Sequence, residues 1–102
     1  MSDFVRICSK ADLPPVGHVA EIAAAGKVLC IANIKGVISA LDNECPHRGG
    51  PLGQGTIEDG MVMCPWHAWA FNVKTGCASH HAQTCVQVYP VEIRGDEVMA
   101  KL

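Results

Sequence analysis

Short apolar stretches separated by turn signals run along the whole chain. Reversals are predicted at Lys35-Gly36, Asp59-Gly60, Thr75-Gly76 and Arg94-Gly95, where glycine tolerates the backbone angles that tight turns need. The stretches between them are rich in valine and isoleucine, which favour strands. We predict strands over Phe4–Ile7, His18–Ile22, Lys27–Ile34, Val37–Leu41, Met61–Met63, Ala70–Val73, Val86–Tyr89, Val91–Arg94 and Glu97–Lys101. Many short strands at this spacing predict an all-β sandwich or small barrel.

Three segments need separate interpretation. The alanines of Val19–Ala25 favour a helix, but we interpret this stretch as a strand that ends at Gly26. The segment from Ser9 to Asp12 can cap a single helical turn before the prolines that follow it. Asn43–Gly55 is too rich in glycine and proline for a strand, and long loops in compact domains are usually functional.

Composition and charge narrow the function classes. The chain has 102 residues, 49% of them hydrophobic and 18% charged, which predicts a single folded domain over residues 1–102. Eight Lys and Arg against ten Asp and Glu give a net charge of −2, and no basic patch suggests nucleic-acid binding. No apolar run approaches the roughly 20 residues of a membrane span. The N-terminal residues lack a secretion-signal pattern, so we expect a cytoplasmic protein without membrane contact.

The chain contains six cysteines, at Cys8, Cys30, Cys45, Cys64, Cys77 and Cys85. Without an export signal, metal binding or reduced thiols are better interpretations than disulfides. Cys77 and Cys85 are near enough in sequence to approach each other across a loop, but we expect both to be reduced. Cys30 lies in an apolar strand and is interpreted as a core residue. The sequence assigns no role to Cys8, and we expect His80 and His81 to be solvated loop residues.

Two cysteines have a histidine close by. Cys45-Pro46-His47 and Cys64-Pro65-Trp66-His67 each supply one thiolate and one imidazole, a donor set that suits zinc or an iron–sulfur cluster. A structural zinc site, in a protein acting as an interaction module, is one hypothesis. Zinc fingers usually group Cys with Cys and His with His. The mixed pairs therefore favour a binuclear cluster, with cysteines on one iron and histidines on the other.

The segments Cys45–Leu52 and Cys64–His67 resemble the two cluster-binding boxes of Rieske [2Fe–2S] proteins. The glycines at 53 and 55 and the pattern Phe71-x-x-x-Thr75-Gly76 fit the same family. The resemblance implies the Rieske antiparallel β-sandwich, with a cluster-binding subdomain of two loops, about 43–55 and 64–69, at one tip. It also implies that one [2Fe–2S] cluster is bound by Cys45, His47, Cys64 and His67.

Departures within the boxes indicate the subtype. Rieske proteins of cytochrome bc complexes have two further cysteines, joined in a disulfide, where this chain has Gly50 and Trp66. They also carry hydroxyl side chains where it has Trp69 and Phe71. The chain therefore resembles soluble, low-potential Rieske ferredoxins of aromatic-ring dioxygenase systems.

That resemblance implies an electron carrier rather than an enzyme. It would pass single electrons from an NAD(P)H-dependent flavin reductase to a terminal oxygenase or other oxidoreductase. The chain is also similar to the Rieske-like small subunit of NAD(P)H nitrite reductases, which leaves an accessory subunit as the alternative. The length argues against a self-contained oxygenase, which needs a further domain for its mononuclear iron.

Overall fold

The computed structural model describes residues 4–45, 49–66, 69–79 and 83–102, which form three antiparallel sheets. Two 3₁₀ turns, Lys10–Asp12 and Leu52–Gln54, accompany them. Within those ranges, no helix has the length and apolar character needed to cross a membrane. The strands are β1 (Phe4–Ser9), β2 (His18–Ala24), β3 (Lys27–Ile34), β4 (Val37–Asp42), β5 (Thr56–Glu58), β6 (Met61–Met63), β7 (Ala70–Asn72), β8 (Val88–Tyr89), β9 (Val91–Arg94) and β10 (Glu97–Lys101).

The sheet β2-β3-β4-β8 lies between two apolar clusters. Four consecutive residues of β3, from Leu29 to Ala32, are fully buried, which requires that both faces of the strand are covered. Cys30 and Ala32 belong to one cluster, together with residues of β6, β7 and the loops after β4 and β6. Leu29 and Ile31 belong to the other, with residues of β1 and β10. The all-β prediction is confirmed.

Most predicted strands are observed to within two residues at each end. β2 continues through its alanines to Ala24, which confirms the strand interpretation, and the chain reverses at Ala25 and Gly26 with φ of 51° and 78°. The predicted helical turn after Ser9 is also present, because Ser9 and Asp12 form a capping box. The segment Val86–Tyr89 is a strand only at Val88–Tyr89.

One strand, β5, was not predicted from the sequence. Thr56–Glu58 pairs with Met61–Met63 across Asp59-Gly60, and both turn residues have positive φ, at 53° and 76°. Asp-Gly between two strands is a strong signal for such a two-residue hairpin. The hairpin matters for function because β6 leads directly into Cys64.

Candidate metal centre

Two loops bring Cys45 and Cys64 into the same apolar cluster. Cys45 lies in the loop that follows β4, and Cys64 comes directly after β6. Both are thiols, and their exposed fractions are only 1% and 3%. The cluster also contains the fully buried side chains of Leu52 and Phe71. The two predicted thiolate ligands therefore share one water-poor environment.

The first loop is fixed around Cys45 by its own backbone. The Cys45 amide donates to the Gly50 carbonyl (2.8 Å), and the Gly49 amide donates to the Cys45 carbonyl (2.7 Å). Glu44 and Pro51 pair as an antiparallel bridge just outside these bonds. The segment from Glu44 to Pro51 thus begins and ends at adjacent points, with Cys45 near its base.

The second loop closes the hairpin between β6 and β7. Met63 pairs with Ala70, and the Cys64 amide donates to the Trp69 carbonyl at 2.8 Å. Hairpin register fixes which residue begins the loop, since a slip by one residue would turn every side chain to the opposite face. The position of Cys64 is therefore set by the pairing of β6 with β7.

The two loops meet at Gly50. A Cβ at this position would lie 3.0 Å from Cys64 Sγ and 3.0 Å from Trp66 Cδ2, closer than ordinary van der Waals contact. A side chain at this position would require Cys64 or Trp66 to move by a few tenths of an ångström, so glycine allows the sulfur to approach the first loop closely. The Trp66 side chain, 57% exposed, covers this point of contact from outside.

A hydrogen-bond network supports the first loop from β2. The Asn43 side chain donates to Glu21 Oε2 (2.7 Å) and accepts from the Gly53 amide (2.7 Å), while Gln54 Nε2 donates to Glu21 Oε1 (3.0 Å). The donors Gln54 and Asn43 lower the pKa of the Glu21 carboxyl from its ordinary value. These residues were not predicted from the sequence, because an acid in a strand and an amide 22 positions later carry no shared signal.

Two of the four predicted ligands are thus placed together, and the other two, His47 and His67, lie outside the described residues, as do His80 and His81. Within the described part of the chain, no three His, Cys, Asp or Glu side chains are grouped closely enough to hold a metal ion. The two thiols nevertheless fit an iron–sulfur cluster, because thiolates are the soft ligands that such clusters use.

The remaining cysteines have different environments. Burial raises the pKa of the Cys30 thiol to about 12, and burial also raises the pKa of Cys8, which disfavours the thiolate form of both. Cys77 and Cys85 form a disulfide, so the expectation that both are reduced is wrong. The physical reason is that the two residues pair directly as an antiparallel bridge, which brings their side chains together.

Comparison with known proteins decides the family. Residues 3–90 match the model of the Rieske [2Fe–2S] domain. The chain belongs to the Rieske [2Fe–2S] family. Its cofactor is a Rieske [2Fe–2S] cluster, as the two boxes indicate.

Relatives of this Rieske protein include chains of very different length. The ferredoxin component of the naphthalene 1,2-dioxygenase system of Pseudomonas aeruginosa is 36% identical over 89 residues, 86% of each chain. Apoptosis-inducing factor 3 of Mus musculus is 41% identical over 71 residues, 69% of this chain. That match spans only 11% of the apoptosis-inducing factor, and the same holds for its Homo sapiens counterpart.

Solved structures share the fold. A chain in the complex of reduced oxygenase and oxidized ferredoxin in carbazole 1,9a-dioxygenase is 25% identical with a TM-score of 0.83, covering 99% of this chain and 94% of that one. A small subunit assigned to an NADH-dependent nitrite reductase of Mycobacterium tuberculosis is 20% identical with a TM-score of 0.86, covering 98% and 95%. The second likeness shows the fold alone.

Proposed function

We propose that this Rieske protein is the ferredoxin of a multicomponent oxygenase system in the cytoplasm. It receives single electrons from an NAD(P)H-dependent flavin reductase and delivers them to a terminal oxygenase. The observation that carries the proposal is the burial of Cys45 and Cys64 together, in a chain that matches a dioxygenase ferredoxin component over 86% of that relative's length. The carbazole 1,9a-dioxygenase complex, in which a ferredoxin is bound to its oxygenase, supports the choice of partner.

The proposed ligands are Cys45 and His47 from the loop at about 43–55, and Cys64 and His67 from the loop at about 64–69, within a single domain over residues 1–102. Such a cluster supplies a one-electron step at a potential of roughly −150 to +300 mV. The surrounding residues exclude water from the two sulfurs, since Leu52 and Phe71 are fully buried beside them. A dry environment strengthens the effect of each nearby dipole and charge on the redox equilibrium.

The chain's own groups favour the lower part of that range. A hydrogen bond to sulfur stabilises the reduced, more negative state more than the oxidised state, so it raises the potential. Trp69 and Phe71 carry no hydroxyl that could donate such a bond. We therefore expect a midpoint potential below zero at neutral pH.

Iron and acid-labile sulfide content tests the ligand set. Cys45→Ser, Cys64→Ser, His47→Ala and His67→Ala should each lose the cluster. The matched controls Cys8→Ser, Cys30→Ser and His18→Ala should retain it, with circular dichroism establishing that each variant is folded. A folded variant at any of the four ligand positions that keeps the Rieske electron paramagnetic resonance signal would overturn the assignment, and zinc in place of iron and sulfide would overturn the function.

Electron delivery needs its own measurement. The reduced protein, mixed anaerobically with a naphthalene-type terminal oxygenase, should be oxidised by one electron as the oxygenase is reduced. Association at fixed stoichiometry with a large reductase, and no transfer to an oxygenase, would instead identify an accessory subunit.

A further inference from the structure

The disulfide between Cys77 and Cys85 lies outside the proposed ligand set. Cys85 is exposed and Cys77 is half-buried, so solvent reaches the bond. Exposed disulfides are more readily reduced than buried structural ones, and those in reducing compartments are usually transient or redox-sensing. The Cys8 and Cys30 thiols are buried and cannot exchange with it.

Cys77, one half of the disulfide, begins a short segment that pairs with β7. The Asn72 amide donates to the Cys77 carbonyl (3.0 Å), and the Ser79 amide donates to the Ala70 carbonyl (2.9 Å). Ala78, between them, pairs with Phe71 as an antiparallel bridge and is buried in the same cluster as Cys45 and Cys64. Residues 77–79 therefore extend the sheet β5-β6-β7 by one short strand.

Only β7 separates this segment from β6, the strand that leads into Cys64. β7 begins at Ala70, and the residue before it, Trp69, accepts the hydrogen bond from the Cys64 amide. Displacement of the segment at 77–79 would uncover one edge of β7 and part of the apolar cluster. The hairpin that fixes Cys64 would then be more free to open.

We propose that the Cys77–Cys85 disulfide is a second redox site, which undergoes thiol–disulfide exchange with a dithiol reductant and thereby controls how firmly the Cys64 loop is held. The exchange itself needs no cluster. Its effect on the cluster rests on the proposed function, in which Cys64 is a ligand.

The exchange proceeds through a mixed disulfide. A thiolate of the reductant attacks the sulfur of the exposed Cys85, the bond to Cys77 breaks, and a mixed disulfide forms. The second thiolate of the reductant then attacks the reductant's other sulfur, the one bonded to Cys85, and Cys85 leaves as a thiolate. Two electrons and two protons pass from the dithiol, which becomes a disulfide, to Cys77 and Cys85. Cys77 Sγ lies 3.7 Å from the Thr75 carbonyl, which can accept a weak hydrogen bond from the new thiol.

The first experiment follows the exchange in the cluster-containing protein. The protein is equilibrated in buffers of varying ratios of reduced to oxidised dithiothreitol, quenched with an alkylating reagent without denaturant, and analysed by peptide mass spectrometry. We expect Cys77 and Cys85 to be labelled together, reversibly, while Cys8 and Cys30 remain unlabelled. Labelling of Cys77 and Cys85 only after denaturation would overturn the proposal.

The second experiment measures the rate of cluster loss to a ferrous chelator by visible absorption, with and without prior reduction by dithiothreitol. We expect loss to be faster by about tenfold in the reduced protein, because cross-links of this kind restrict local opening. Cys77→Ser/Cys85→Ser should lose its cluster at the faster rate under both conditions, which separates the disulfide from any direct attack of dithiothreitol on the cluster. Equal rates in the oxidised and reduced wild type would overturn control of the Cys64 loop. Failure of the proposed function would look different, since the wild type would then contain no iron and sulfide.

Discussion

The Glu21 carboxylate accepts a hydrogen bond of 2.7 Å from the side-chain amide of Asn43, which joins β2 to the start of the loop that carries Cys45. The same carboxylate accepts a bond from Gln54, at the far end of that loop. Asn43 in turn accepts from the Gly53 amide, and its carbonyl accepts from Leu52. One acidic side chain on a strand thus holds both ends of the loop together.

This arrangement predicts that Asn43→Asp loosens the first loop. The new carboxylate would take the place of the amide that now donates to Glu21. Two negative charges would then be in contact and would repel each other. The introduced carboxylate could still accept from the Gly53 amide, so the change is confined largely to the contact with Glu21. We expect cluster loss to a ferrous chelator to become several-fold faster, measured by the decay of visible absorption.

The double variant Glu21→Gln/Asn43→Asp tests the pairing itself. Its new glutamine can donate to the new carboxylate, so the contact between positions 21 and 43 is restored with donor and acceptor exchanged, while the bonds accepted from Gln54 and from the Gly53 amide keep their direction. We expect the rate of cluster loss to return close to the wild-type value. A double variant no better than Asn43→Asp would show that the contact between positions 21 and 43 does not support the loop.

The lowered pKa of Glu21 predicts how this support depends on pH. Hydrogen bonds from Gln54 and Asn43 favour the charged form, so the folded-state pKa lies below the unfolded value of about 4.3. The stabilisation is therefore fully present above the unfolded value and is lost as the pH falls through the folded value. We expect the urea midpoint of the wild type to exceed that of Glu21→Gln by more at pH about 6 than at pH about 4, where the pH is already below the unfolded value. A difference that is the same at both pH values would contradict this origin.

Strand positions were predictable because their signals are local, and the motif that marks the two proposed thiol ligands is local as well. Valine-rich runs and glycine turns mark β3, β6, β9 and β10 in the sequence, and a cysteine two or three residues from a histidine marks each loop. β5 could also have been found, since Asp59-Gly60 is a hairpin signal, but three residues are too few to show an alternating pattern.

The interactions that hold the loops were not predictable, because they join distant residues. Nothing near Glu21 indicates that its partners are Asn43 and Gln54, since both contacts exist only once β2 packs beside the loop. The disulfide was missed for another reason. Reduced thiols were expected for Cys77 and Cys85 because disulfides are rare in the cytoplasm. Whether two cysteines can form a disulfide depends on their distance, and the local pairing of these two residues sets that distance.

The two tryptophans of the second loop are expected to have different roles. Trp66 is exposed beside the point where the loops meet, whereas Trp69 is half-buried and packs against the apolar cluster. Exposed aromatic residues are common anchors of protein interfaces. We expect Trp66→Ala to raise the KM of the oxygenase for this ferredoxin by about tenfold, within the range of such anchors, while the cluster is retained.

Trp69→Ala is the matched comparison for Trp66→Ala. It should lower the urea midpoint and speed cluster loss, since it removes a side chain that packs against buried residues. If Trp66→Ala left the KM unchanged, or if both variants altered only stability, the exposed tryptophan would not belong to the docking surface.

Phe71 offers a test of the low potential. Its side chain is fully buried in the cluster that contains Cys45 and Cys64, so a hydroxyl added by Phe71→Tyr would enter the environment of the two sulfurs. A hydrogen bond from that hydroxyl to a ligand sulfur would stabilise the reduced state more than the oxidised state. A difference of ~1.4 kcal/mol between the two states corresponds to a rise in potential of about 60 mV for a one-electron couple. Phe4→Tyr, in β1 on another sheet, is the control and should leave the potential unchanged. Protein-film voltammetry measures all three midpoints. A wild-type midpoint well above zero at neutral pH would contradict the low potential, and an unchanged midpoint in Phe71→Tyr, with the sulfur bond seen in its crystal structure, would contradict the explanation.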